Sequence, residues 1–80
     1  MSLFELQERR FQAAEDKASA MRNYADIRRA LKRRRVDIDT DPTAIVALAE
    51  YEEAMAVFEV ARREHAVALE ADLKARQRGG

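Results

Sequence analysis

The chain has 80 residues, no Cys, a single His, and 15 cationic against 15 anionic side chains. That is room for one small domain, with no disulfide frame and no thiolate metal site. Residues 1–40 carry ten Lys or Arg against seven Asp or Glu, and residues 41–80 carry five against eight. The two halves therefore attract one another, which argues against a globally basic binder.

The start, MSLFELQERR, lacks the basic stretch followed by an apolar core that marks a secretory signal. The longest apolar run, AIVALA at 44–49, falls far short of the ~20 residues that span a bilayer. We expect no membrane span and a protein made in, and first acting in, the cytoplasm; export by a route without a cleavable signal fits the same features.

Taken in chain order, the first element is a helix over about 3–35. Ala, Glu, Arg and Leu dominate, and no Gly occurs before residue 79 to stop it. Phe4, Phe11, Ala14, Ala18, Met21 and Ala25 recur at helical steps, and Tyr24, Ile27 and Leu31 extend the stripe.

The helix ends in RRALKRRR, six cations in eight positions at 28–35. Arg28, Lys32 and Arg35 fall within about 60° of one another, Arg29 and Arg33 lie further round, and Arg34 is nearly opposite Arg29, at 100° per residue. The charges wrap the helix, and they sit where cations favour its dipole. A solvated helix end, paired in part with Glu50, Glu52 and Glu53, explains them first. Contact with nucleic acid or an acidic partner is the rival reading, without interleaved aromatic residues to support stacking on single strands.

The break between helices is VDIDTDPTA. The spacing predicts a loop at 36–41, with Asp41 as N-cap and Pro42 at the first helical position. Asp37, Asp39 and Asp41 alternate like the opening of a calcium loop, but Pro42 stands where that loop needs Gly and Leu48 where it needs a bidentate Glu. Turn and cap chemistry accounts for these acids.

The second helix is expected over about 42–76, with 77–80 frayed. Ile45, Leu48, Met55, Phe58, His65 and Leu69 make one stripe. Val46, Val57, Val60, Val67 and Ala71 make a second, and Ala47, Ala54, Ala61, Ala68 and Ala75 a third. A short loop between long helices folds them into an antiparallel, coiled-coil-like hairpin. Folding about residue 38 or 39 pairs numbers that sum to roughly 77, which sets Met21 near Met55 and Phe58, Ile27 near Leu48, and Phe4 near Leu69 and Leu73. Met21, Ile27, Leu31, Leu48 and Leu69 are then the residues expected to hold the hairpin.

The second helix is apolar on more sides than one partner helix can cover, and two helices alone make a thin core. We therefore expect an all-α hairpin, a small helical structural component, chaperone or adaptor, that completes a four-helix bundle as a homodimer or higher oligomer or docks on another helical protein. Val46, Met55, Val57, Phe58, Val60 and Val67 are the expected inter-chain surface. The basic residues Arg28, Arg29, Lys32, Arg33, Arg34 and Arg35 are the site of the alternative, a nucleic-acid-binding regulator. A membrane-surface helix is disfavoured, because the basic cluster wraps its helix and the apolar second helix is acidic.

No enzymatic chemistry is expected. His65 has Ala61 and Leu69 one turn away, which are neither ligands nor catalytic partners, and Ser2 and Ser19 have no base in helical reach. There is no phosphate-binding Gly loop, and a hairpin offers no enclosed pocket in which to tune a carboxylate. No metal or cofactor is expected. The terminal RGG matches the tails of ubiquitin-like modifiers over three residues only, without their β-rich body.

The Asp-Pro turn followed by DPTAIVALAEYEEAMAVFEVA, 41–61, resembles the small helical hairpins of type III secretion systems, the needle subunits and their helical co-chaperones. In needle subunits an Asp-Pro turn likewise precedes aliphatic residues that open the second helix. The resemblance implies an assembly role. The chain departs from that pattern in its heavier charge, its arginine-rich helix end and its polar KARQRGG terminus.

Overall fold

A computed structural model describes residues 1–79. Two helices make up the fold: α1 over Leu3–Arg33 and α2 over Pro42–Gly79, with no strand among the described residues. The molecule is a rod of 64 × 16 × 15 Å with a radius of gyration of 18.3 Å, against about 12 Å for a compact domain of this length. It is an antiparallel helical hairpin.

Each helix starts on a side-chain cap. The Glu5 backbone N–H donates to Ser2 Oγ at 3.1 Å, and the Ala44 N–H donates to Asp41 Oδ2 at 3.0 Å. Each cap satisfies one of the N–H groups that a helix start leaves without a partner. Asp37 Oδ1 accepts from the Asp39 N–H at 3.0 Å, so the alternating acids serve the turn and the cap.

The end of α1 differs from expectation. The Val36 N–H reaches the Leu31 carbonyl at 3.0 Å and the Arg35 N–H reaches Lys32 at 3.1 Å. This crossed pair of bonds is the Schellman closure, which turns the chain through a left-handed residue. That residue is Arg35, with φ 56°. The helix therefore stops at Arg33, and Arg35 belongs to the turn. At the other end α2 continues through Gly79, beyond the expected stop at 76; of the tail expected to fray, Gly80 lies outside the described residues.

The helices meet along rows whose steps alternate three and four. On α1 the row is Leu3, Leu6, Arg10, Ala13, Lys17, Ala20, Tyr24, Ile27 and Leu31; on α2 it is Ala44, Ala47, Tyr51, Ala54, Phe58, Ala61, His65, Ala68 and Asp72. That alternation averages 3.5 residues per turn, the coiled-coil period. The five buried apolar residues, Leu6, Ala13, Leu31, Ala44 and Ala47, all lie in these rows. The other row members are half-buried, apart from exposed Arg10.

Three contacts fix the register. Arg10 Nη1 lies 3.2 Å from His65 Nδ1, Lys17 Nζ lies 4.7 Å from the Phe58 ring centroid, and Arg9 Nη1 lies 3.7 Å from Glu64 Oε2. The first two pairs sum to 75, so the hairpin folds tighter than a register near 77. Ile27 and Leu31 sit in the seam as expected, whereas Met21, Leu48 and Leu69 are exposed and do not hold the hairpin. The reason is size. Alanines at every seventh position of α2 let the backbones approach closely, and larger side chains at those positions would hold them apart.

Candidate interaction surface

With the alanine row turned inward, the large apolar side chains are left on the outside. They fall on two flanks, one on each side of the seam. The Arg9–Glu64 pair places these two residues on one flank. On the same side α2 presents Val46, Val57, Val60 and Val67, each more than half exposed, while α1 contributes polar Gln12, Asp16, Ser19 and Asn23. A groove there is lined by Arg9, Gln12, Asp16, Val57, Val60 and Glu64.

The opposite flank draws apolar residues from both helices. Phe4 and Phe11 are 69% and 56% exposed. Ala14, Ala18, Met21 and Ala25 continue their line on α1. Ile45, Leu48, Met55, Leu69 and Leu73 flank it on α2; of these five only Met55 is half-buried. An exposed Phe is a large penalty for a side chain worth about 1.5–3 kcal/mol when buried.

The expected inter-chain residues are thus divided. Val46, Val57, Val60 and Val67 share the valine flank, and Met55 belongs to the phenylalanine flank. Phe58 is half-buried in the seam beneath Lys17, where it serves the hairpin and not an outer face. Phe4 and Phe11 are absent from the expected surface because the strength of their periodicity suggested a core stripe.

Charge on the phenylalanine flank is sparse near its middle. Arg62 Nη2 donates to Glu59 Oε2 at 2.9 Å. That hydrogen bond, with the guanidinium charge, holds the Glu59 carboxyl below the usual carboxylate range and raises Arg62.

The basic cluster forms the tip of the rod. Arg29 pairs with Asp26, and Arg28 lies over the Tyr24 ring at 5.6 Å. Lys32, Arg33, Arg34 and Arg35 are exposed and make no ion pair among the described residues; Glu50, Glu52 and Glu53 do not reach the cluster either. In the observed register they lie level with residues 22–25; a sum near 77 sets them at 24–27, also short of the cluster. The one ion pair between the helices, among the described residues, is Arg9–Glu64.

His65 meets Arg10, so its Nδ1 acts as an acceptor toward a guanidinium. No group of three metal-ligating side chains comes together among the described residues, and no helix there is long and apolar enough to cross a membrane.

Compared with protein families, with characterised proteins and with solved structures, the chain matches none.

Proposed function

We propose that this chain is a non-enzymatic assembly module, a small helical component or adaptor that works by associating with itself or with another helical protein. The observation that carries this reading is the inversion of its packing. Alanines take five of the nine α2 positions in the seam, while Phe4, Phe11, Met21, Leu48, Leu69 and Leu73 face solvent. A folded monomer of 9.2 kDa exposes about 4,900 Å²; this hairpin exposes 6334 Å². The surplus, about 1,400 Å², is of the size that one partner contributes to an obligate interface. Residues on both flanks, including Val46, Val57, Val60 and Val67, supply that surface. The likeness to type III secretion hairpins points to the same class of role, and a homodimeric four-helix bundle is the simplest arrangement that covers the surplus.

Linkage supplies the test. If folding is coupled to association, the midpoint of thermal unfolding rises with protein concentration. A midpoint that stays fixed over a hundredfold range contradicts the proposal.

A second reading rests on the tip of the rod. Four neighbouring cations without carboxylate partners among the described residues, presented at the end of the hairpin, suit a phosphate backbone or an acidic protein surface. Binding to DNA or RNA that weakens steeply with added salt, and is lost when Arg33, Arg34 and Arg35 are replaced by Ala, supports this role. A wild-type chain that binds neither nucleic acid at low salt ends it.

A further inference from the structure

Of the two apolar flanks, only one is complementary to itself. Along α1 the phenylalanine flank repeats every seven residues as Phe4, Phe11, Ala18, Ala25: two large side chains, then two small. An antiparallel copy of this row pairs residue numbers to a constant sum. At 29, Phe4 meets Ala25 and Phe11 meets Ala18, so a large side chain meets a small one in every layer. The centre of that pairing lies between Ala14 and Glu15.

The α2 side of the same flank has its own centre. Glu59 and Arg62 straddle Val60 and Ala61, and in the register set by Arg10–His65 and Lys17–Phe58 those two residues lie level with Glu15 and Ala14. The two centres coincide. One two-fold axis through that level therefore gives each Glu59 carboxylate the guanidinium of a second Arg62. It also lays Leu48 against Leu73 and Met55 against Ala66. Glu52 opposite Leu69 and Arg76 opposite Ile45 are the unmatched positions on α2.

The valine flank fails the same operation. Centring on Val57 and Val60 sets Glu53 against Glu64; Arg9 pairs with Glu64, but the neighbouring Glu50 and Asp16 leave the rim acidic. Like charges brought together across an interface oppose association.

We propose that a second copy of this chain docks on the phenylalanine flank, two-fold related and antiparallel, α1 on α1 about Ala14 and α2 on α2 about the Glu59–Arg62 pair. This assignment rests on the self-association reading and gives it a face and a register. A two-fold interface must be self-complementary, and most positions of this flank meet that condition in side-chain size and in charge, on a rod that as a whole exposes about 1,400 Å² more than a compact monomer.

The absence of Cys makes the test direct. In Ala14→Cys the introduced thiols of two copies lie beside the axis, between the two Phe11–Ala18 layers, and the proposed register brings them within reach of a disulfide. Mild oxidation is expected to convert most of this variant to a covalent dimer that retains wild-type helicity. Independently, Phe11→Glu should raise the dimer dissociation constant about 30-fold or more, while Val60→Glu leaves it within a few-fold. Three results overturn the assignment. A wild-type chain that is monomeric by light scattering removes the self-association reading and the face together. A wild-type dimer that Val60→Glu dissociates and Phe11→Glu does not leaves self-association standing and rejects the face. A dimer in which Ala14→Cys stays unlinked rejects the register.

Discussion

Lys17 Nζ lies over the ring of Phe58, 4.7 Å from its centroid, at the middle of the seam between the helices. A lysine inside a coiled-coil row looks like a defect. Here its ammonium meets the ring's negative face, so a large α2 side chain in the seam is capped by a cation. Removing the ring in Phe58→Ala should destabilise the hairpin by about 2 kcal/mol, less than the ~3–5 kcal/mol of a fully enclosed aromatic, because Phe58 is half-buried. Lys17→Met, which keeps the stem, should cost no more than about 1 kcal/mol. Denaturant unfolding at fixed protein concentration measures both, and a Phe58→Ala chain with wild-type stability would remove Phe58 from the seam.

The small residues of α2 are predicted to be irreplaceable by larger apolar ones. Ala47 is 3% exposed, and Ala47→Leu forces the backbones apart, at about 1–3 kcal/mol. Ala56 is exposed on the outer side of α2, and Ala56→Leu should change stability by less than about 0.5 kcal/mol. Equal effects at the two positions, read from unfolding midpoints, would contradict an alanine-lined seam.

Arg35 occupies a left-handed backbone position, φ 56°, that closes α1. A side chain there carries a penalty that Gly avoids, so Arg35→Gly should stabilise the chain by about 1 kcal/mol and Arg35→Ala should not. Thermal unfolding of the two variants decides this. If Gly and Ala behave alike, the turn does not close through residue 35. An Arg in a place that favours Gly is also what the tip-binding reading would require of a residue kept for its charge.

At the start of α2, Asp41→Ala removes the acceptor of the Ala44 N–H and should cost about 1 kcal/mol, with Asp41→Asn recovering most of it. Loss of stability in the Asn variant equal to that in Ala would show that the charge, and not the cap, carries the effect.

Much of this fold is legible in the chain itself. The long Gly-free stretches, the Asp41–Pro42 start and the short acidic loop lead to an antiparallel hairpin with two helices in their observed places. The end of α1 is not legible, because the residue that closes it is Arg35 and carries none of the usual Gly signal. Ser2 and Glu5 do carry a capping-box spacing that marks the start of α1.

The inward face is the harder lesson. Hydropathy favours Phe4, Phe11, Met21 and Leu69 as core, yet the seam follows a row interrupted by Arg10, Lys17 and His65. The outer stripe Phe11, Ala14, Ala18, Met21, Ala25 alternates three and four in the same way, so periodicity alone does not choose between the two faces. The polar members tolerate the seam because a two-helix rod leaves each one an edge open to water, where Lys and Arg extend their heads. An apolar stripe states that something must cover it; whether its own partner helix or another molecule does so depends on which face packs closer, and side-chain size decides that.

The claim on which the rest depends is that this hairpin is half of something. The most direct test is the mass of the wild-type chain by sedimentation equilibrium, from tens of micromolar down to the lowest concentration that gives a signal. The account predicts a mass of at least twice 9.2 kDa at the upper end, with helicity lost as dilution dissociates the assembly. A fully helical, cooperatively folded species of 9.2 kDa at every concentration would contradict it.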